Sequence, residues 1–350
     1  MMHKSVSGQN HGRISANWQK TIQPYQKADN RQAAWQLINS LVPFIALYMM
    51  MIWVIRYSYW LIIPFIILAA GFQMRLFIIF HDCGHGSFSR SRKVNSIVGS
   101  LMGVLVYTPS EQWWHDHAIH HATAGNLDRR GTGDVTTMTV NEYVSSPWWT
   151  KLGYRLFRSP FVMFGLGPYY MFGIVNRLPL RKVSRKELVN LIWTDTAIII
   201  KIIFLSWLMG WQHFLAMELP VLFVAGTVGI WMFYVQHQFE NMYWVKTDDW
   251  DYANSAMKGA SFYKLPRLLQ WFSGNIGFHH IHHLSPRIPN YYLEKCAVEN
   301  PELKPETILT IKSSLKSLTL SLWDEELGRM IGFKDLKQKM LATHSNSLQV

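Results

Sequence analysis

Cysteine, acidic charge and cofactor fingerprints are all scarce in this chain. Two cysteines, Cys83 and Cys296, are too few for a disulfide framework. Charged residues make up only 16% of the 350, and 22 acidic residues face 34 Lys and Arg, leaving a formal net charge of +12. No Gly-rich dinucleotide fingerprint follows a strand pattern and no haem-binding domain is present, so a built-in flavin, nicotinamide or haem site is excluded. Nucleic-acid recognition motifs are missing too. Residues 1–31 are polar and show no signal peptide, so the first apolar run is expected to act as the targeting signal.

What fills the chain instead is long apolar runs. Ala33 to Ile55 is 23 residues, enough to cross a ~30 Å hydrocarbon layer at ~1.5 Å per residue. Tyr59 to Phe80 follows after a very short connection, and residues 188–209 and 213–236 form two more runs. Val94 to Tyr107, at fourteen residues, is too short to cross and fits a re-entrant or interfacial helix pair. The run 160–178 is interrupted by Pro160, Gly165, Gly167, Pro168 and Gly173 and has basic residues on both flanks (Lys151, Arg155 and Arg158; Arg177, Arg181, Lys182, Arg185 and Lys186). Cytoplasmic loops carry the Lys/Arg excess, so it is expected to lie in the interface. Four spans with both termini cytoplasmic result, and the net positive charge is read as basic loops facing anionic headgroups. Asp195 and Lys201 fall inside the third span and are expected to snorkel or find an interhelical partner rather than to catalyse.

Eleven of the fifteen histidines gather in or beside three clusters or at His237. The clusters are His81-Asp-Cys-Gly-His85, His117-Ala-Ile-His120-His121 and His279-His-Ile-His282-His283. Spacings of three and four residues put imidazoles on one helix face. His81 and His85 should continue the helix leaving the second span; His117, His120 and His121, and likewise His279, His282 and His283, should converge from one turn each. His237, at the end of the last span, is the ninth candidate, and Glu240 shares its face as ligand or supporting group. Asp82, Asp116, Asp134 and Asn275 are candidates to accept imidazole N–H bonds. His115 and His280 lie off the ligand faces and are read as orienting or packing residues; His3, His11, His213 and His344 have no metal context. Cys83 is read as a space-filling residue inside the first cluster.

Histidine-rich, cysteine-poor sites with open coordination favour iron or zinc. A hydrolytic zinc needs three protein ligands and a water, so eight or nine imidazoles are in excess, whereas two irons that activate oxygen can use them. A metal transporter would place its ligands near the bilayer midplane; these lie at span ends and in polar loops.

The three boxes, HxxxH, HxxHH and HxxHH, resemble those of the integral-membrane fatty acid desaturases. The wider text is similar to the acyl-lipid delta-5 desaturases of Gram-positive bacteria: Phe77-Ile-Ile-Phe-His-Asp-Cys-Gly-His85, His120-His-Ala-Thr-Ala-Gly-Asn-Leu-Asp-Arg-Arg-Gly-Thr-Gly-Asp134, and Gly274-Asn-Ile-Gly-Phe-His-His-Ile-His-His-Leu-Ser-Pro-Arg-Ile-Pro-Asn290. The likeness runs from about residue 31 to 325. Three residues separate His81 from His85 where the animal acyl-CoA branch has four, which tilts the reading toward lipid-bound substrates. Related hydroxylases share the boxes and are the alternative.

The resemblance implies an all-α membrane bundle of about four transmembrane helices with interfacial or re-entrant helices and a cytoplasmic helical cap. A polar tail (1–31), a desaturase domain (32–325) and a C-terminal cytoplasmic tail (326–350) are expected. It implies a di-iron centre on His81, His85, His117, His120, His121, His237, His279, His282 and His283, dioxygen as co-substrate, and removal of two hydrogens from adjacent methylenes of a membrane-lipid acyl chain. Electrons would come from ferredoxin or flavodoxin, drawn to a basic surface for which Arg129, Arg130, Lys182, Arg185 and Lys186 are candidates, as they are for phospholipid headgroups. Trp113, Trp114, Tyr263, Trp271, Phe272 and Phe278 flank the boxes and are candidates to line an acyl tunnel.

Overall fold

Two hairpins of long apolar helices, turned at one end and carrying histidines at the other, set the architecture. The computed structural model describes residues 17–179 and 181–347, without the side chains of 343–347; His3, His11 and the His344 side chain therefore lie outside the described residues. Four helices are long and apolar enough to cross a membrane: Asn30–Val54, Tyr59–His85, Arg185–Met209 and Trp211–His237. Each starts on an identifiable signal. The Asp29 carboxylate accepts the Arg31 and Gln32 amides at 2.7 and 3.3 Å, and Ser184 with Glu187 forms a capping box, satisfying amides that a helix start leaves unpaired. The second span ends at Gly86, whose φ of 67° is a left-handed cap conformation open to glycine. A single residue, Gly210 at φ 87°, turns the third span into the fourth. The second and fourth spans thus run the same way and finish at His85 and His237.

The outer faces of the spans are apolar and uncovered: Ile38, Val42, Ile45, Ile199, Ile203 and Trp207 are all more than half exposed. A surface of that kind belongs in lipid. The helix Arg92–Leu105 folds back along the second span, and at Gly99 a methyl group would collide with the Trp114 ring at 2.4 Å. Ser110–Thr123 then returns to deliver the second histidine box. This pair is the re-entrant feature expected of the short apolar run. The run 160–178 forms no long helix either. It forms a π-helical turn, Phe161–Leu166, a short helix, Gly167–Gly173, and a 3-10 turn, Val175–Arg177.

Charges inside the spans are matched across helices. Lys201 Nζ lies 2.9 Å from Glu218 Oε1 and 4.0 Å above the Tyr107 ring; Tyr48 donates to the other Glu218 oxygen at 2.9 Å, and Tyr107 also donates to this carboxylate. Asp195 pairs with Arg177. Both residues have the interhelical or inter-segment partners expected of them; Glu218, the partner of Lys201, was not singled out from sequence. Arg75, buried in the second span, donates to Ser40, Asn39 and the Trp271 carbonyl.

The polar cap is small. Met138–Thr139 pairs in parallel with the strand Leu322–Asp324, which pairs antiparallel with Arg329–Ile331, and Phe262–Tyr263 pairs in parallel with Ile308–Leu309. Tyr25 donates to Glu299 at 2.6 Å and Lys339 pairs with Asp324 at 2.7 Å, so the segments near both ends of the described chain contact the body. Burial opposes ionisation of Asp324, but Lys339 and the Leu327 and Glu326 amides outweigh it and hold this carboxyl below its ordinary range.

Candidate metal centre

All nine imidazoles meet at the histidine end of the bundle, although no two boxes are adjacent in sequence. The second span supplies His81 and His85, Ser110–Thr123 supplies His117, His120 and His121, the end of the fourth span supplies His237, and the short helix His279–Leu284 supplies the rest. They sort into two groups. In one, a nitrogen from each of His81, His85, His117, His121 and His282 lies within 4.8 Å of the others; in the second, His120, His237 and His283 do so. His279 Nε2 sits 2.8 Å from His237 Nε2 and belongs beside the second group.

The second and third boxes do not each serve one group, as convergence on a single face had suggested. A step of one residue turns a helix by ~100°, so His120 and His121 diverge, as do His282 and His283. Each of these boxes straddles both groups. That arrangement ties the two groups to one another.

The donor set fits metal. Asp82 Oδ1 accepts from His81 Nδ1 at 2.9 Å, and Asp134 Oδ1 accepts from His120 Nδ1 at 2.6 Å. Each carboxylate fixes the tautomer and leaves the Nε2 lone pair facing inward. Asp82 is itself held by the Asn290 amide and side chain, at 2.7 and 2.8 Å. Inside, Nε2 atoms approach one another in place of protein acceptors: His81 to His282 at 3.1 Å, His282 to His121 at 3.0 Å, His120 to His237 at 3.2 Å. The Nε2 atoms of His85 and His283 are buried without a hydrogen-bond partner among the described residues. Buried unsatisfied nitrogens facing each other are unfavourable unless a cation takes their lone pairs. Burial, reinforced by neighbouring imidazoles, holds His117, His121, His279, His282 and His283 well below the ordinary histidine range, so they are neutral at pH 7, the form that binds metal.

Several expected roles are corrected. Glu240 points away from the centre and pairs with Lys316 and with Arg329, the latter at 3.0 Å. It is at the loop end where the helix has stopped, so sharing a helical face with His237 no longer applies. Asp116 accepts from Arg181 at 2.9 Å rather than from an imidazole. Asn275 adopts φ 60° in a turn, and its side chain reaches the Asn290 carbonyl. His115 is largely exposed near Glu187, and His213 sits at the far end of the fourth span against the Met209 carbonyl. Cys83 is buried against the Arg92–Leu105 helix and belongs to neither group, in keeping with a space-filling role. Of the candidate basic residues, Arg130 pairs with Glu142, and Lys186 with Glu111 at 2.7 Å.

An apolar channel of about 770 Å³ opens onto His81, His117 and His279. It runs between the second and fourth spans to Gln73, Val106 and Leu222, and the 157–176 segment forms one wall. Among the six aromatic residues proposed from sequence to line a tunnel, Trp113 alone does so. Trp114 packs on Gly84 and donates to the Phe80 carbonyl, Phe272 packs on Phe72, and Phe278 stacks on Phe262. The remaining wall comes partly from non-aromatic neighbours of the boxes, such as Ile78, Gln112 and Ile276, and partly from span residues further off, such as Leu222 and Ala225.

A transmembrane bundle with this histidine set defines a class of membrane-bound oxidoreductase, and sequence comparison agrees. The fatty acid desaturase family model matches residues 57–313. A fatty acid desaturase of Bacillus subtilis (strain 168) is 45% identical over 318 residues, covering 91% of this chain and 90% of that protein. An sn-1 acyl-lipid omega-3 desaturase (ferredoxin) of Synechocystis is 28% identical over 63% of this chain and 62% of its own length. A chloroplastic sn-2 acyl-lipid omega-3 desaturase (ferredoxin) of Helianthus annuus is 29% identical over 67% and 54%. This chain belongs to the fatty acid desaturase family.

Proposed function

We propose that the protein introduces a cis double bond, delta-5 in position, into saturated acyl chains of membrane lipids. The observation that carries this reading is the meeting of two imidazole groups with the mouth of an apolar channel. The apolar cavity suits an acyl chain, and the histidines stand where its methylenes would pass. The delta-5 position rests on the likeness of the three boxes to that group of enzymes. His81, His85, His117, His121 and His282 would hold one iron, and His120, His237, His283 and His279 the other. Two irons so held would supply the oxidising power for unactivated C–H bonds.

The protein's own residues do the positioning. Asp82 and Asp134 fix imidazole tautomers, and Trp113, stacked 4.4 Å from the His117 ring, walls the channel beside it. Apolar walls exclude water from the reacting chain. Overall, dioxygen takes four electrons, two from the C–H bonds and two from a carrier, and with two protons from solvent besides the two from the chain leaves as two waters. Ferredoxin is the favoured carrier because several relatives, the Synechocystis and Helianthus annuus proteins among them, are named for it; flavodoxin has the same acidic character. We place the histidine end and both termini on the cytoplasmic side, since basic loops such as Arg181–Arg185 lie at that end. Residues 32–325 form the desaturase domain in this reading.

Expression in a bacterium lacking the activity, followed by mass spectrometry of its membrane lipids, tests the proposal. New monounsaturated chains whose formation needs oxygen are expected, from protein that purifies with iron. An active preparation free of iron would overturn the di-iron reading, and hydroxylated chains without alkenes would favour the hydroxylase alternative.

A further inference from the structure

Two glycines of the fourth span, three residues apart, line the channel in opposite circumstances. At Gly226 a methyl group would meet Pro168 Cβ at 2.9 Å and the Phe172 ring at 3.0 Å. That glycine lets Gly167–Gly173 pack onto the span, and the adjacent Thr227 hydroxyl fastens the preceding turn, Phe161–Leu166, by donating to the Phe164 carbonyl at 2.8 Å. At Gly229 a methyl group would meet Met74 Sδ alone, at 3.8 Å, an ordinary contact. Glycine inside a helix is unfavourable, and packing does not demand one here. What lies beside it is the channel itself, with buried Met74 of the second span opposite.

Both helices place this pair at the same depth. Gly229 stands eight residues before His237 and Met74 seven before His81, ~12 and ~10 Å at ~1.5 Å per residue. Beyond the pair the cavity continues past Gly226 to Leu222 and Val106. One leaflet of hydrocarbon is ~15 Å deep, so a full-length acyl chain with a methylene beside the histidines must pass this pair; because a methyl group at 229 already reaches Met74 Sδ, the chain passes only as the flexible Met74 side chain swings aside.

We propose that Gly229, facing Met74, is the waist of the channel and sets how long an acyl chain is accepted beyond the histidines. This rests on the reading of the channel as an acyl site. A side chain at 229 enters the bore without touching the packed wall, so it discriminates by length. A side chain at 226 disturbs the wall instead.

The test reads equilibrium binding of radiolabelled saturated phosphatidylglycerols of graded chain length to the full-length, detergent-solubilised protein. Turnover is not needed, so loss of the desaturase reading and loss of the waist are separable. Gly229→Phe should weaken the longest chain about tenfold or more and leave the shortest unchanged, with Gly229→Ala between it and the parent. Met74→Phe should plug the bore from the opposite wall with the same length profile. Met74→Ala should restore long-chain binding in the Gly229→Phe background. Equal weakening at every length in both single Phe variants, or no weakening in either, overturns the proposal. If Gly229→Phe does not fold, Gly229→Ala and Met74→Phe decide it by the same profile.

Discussion

The polar knot around Glu218 and the histidine centre are both set in this apolar bundle, and they differ in whether they satisfy themselves. The knot around Glu218 is complete: carboxylate, Lys201 ammonium and two tyrosine hydroxyls pair off within the protein. The histidine centre is not. The outer nitrogens of His81 and His120 are met by Asp82 and Asp134, those of His121 and His279 have no partner among the described residues, and the inner ones face each other or nothing. Buried polarity that closes on itself is a structural device, whereas buried acceptors without protein donors suit a cation.

The comparison breaks if the two clusters respond alike to substitution. The largest effect is expected at the centre: His81→Ala, His120→Ala or His283→Ala should abolish desaturation while the protein still inserts, and iron per chain should fall. Metal analysis beside product analysis checks this; full activity in all three variants would remove these residues from the ligand set. Next is the knot. Glu218→Ala leaves Lys201 as an unpaired, partly buried cation, which costs up to roughly 3 kcal/mol, the low end of the range for a fully buried pair. A lower melting temperature with unchanged iron content is expected, and Glu218→Gln combined with Lys201→Met should recover much of the loss. Iron loss in Glu218→Ala at a temperature where the bundle stays folded would show that the knot serves the centre.

Much of this was legible in the sequence, for physical reasons that also explain what was missed. The spans show as runs of apolar residues whose length the bilayer dictates. The boxes show because a helix brings i, i+3 and i+4 together, and parity then required the 160–178 run to stay on one side. Long-range partners leave no such local mark. Glu218 sits 17 residues from Lys201 in another helix, and only a search of the fourth span for a counter-charge would have found it. The channel wall was misplaced because aromatic residues beside the boxes were chosen by proximity in sequence, while the bore is bounded by Met74, Gly229 and the 157–176 segment. The splitting of His120 from His121 needed the position of the other helices around them.

The comparison sharpens at its smaller effects, where support and mere presence must be told apart. Asp134→Asn keeps the shape but removes the charge that orients His120, so iron affinity should drop ~10- to 100-fold while stability barely moves. Titration with a competing chelator measures it. An unchanged affinity would mean that the 2.6 Å contact is packing. His213 supplies the zero point. It is a histidine in the same span as His237, hydrogen-bonded to the Met209 carbonyl and set against Tyr59, at the end of the bundle where the hairpins turn. His213→Ala should change stability by no more than ~1 kcal/mol, the worth of one partly exposed hydrogen bond, and leave iron content and product untouched. A loss of iron there would mean that distance from the centre, rather than the state of its nitrogens, had been the wrong guide to function.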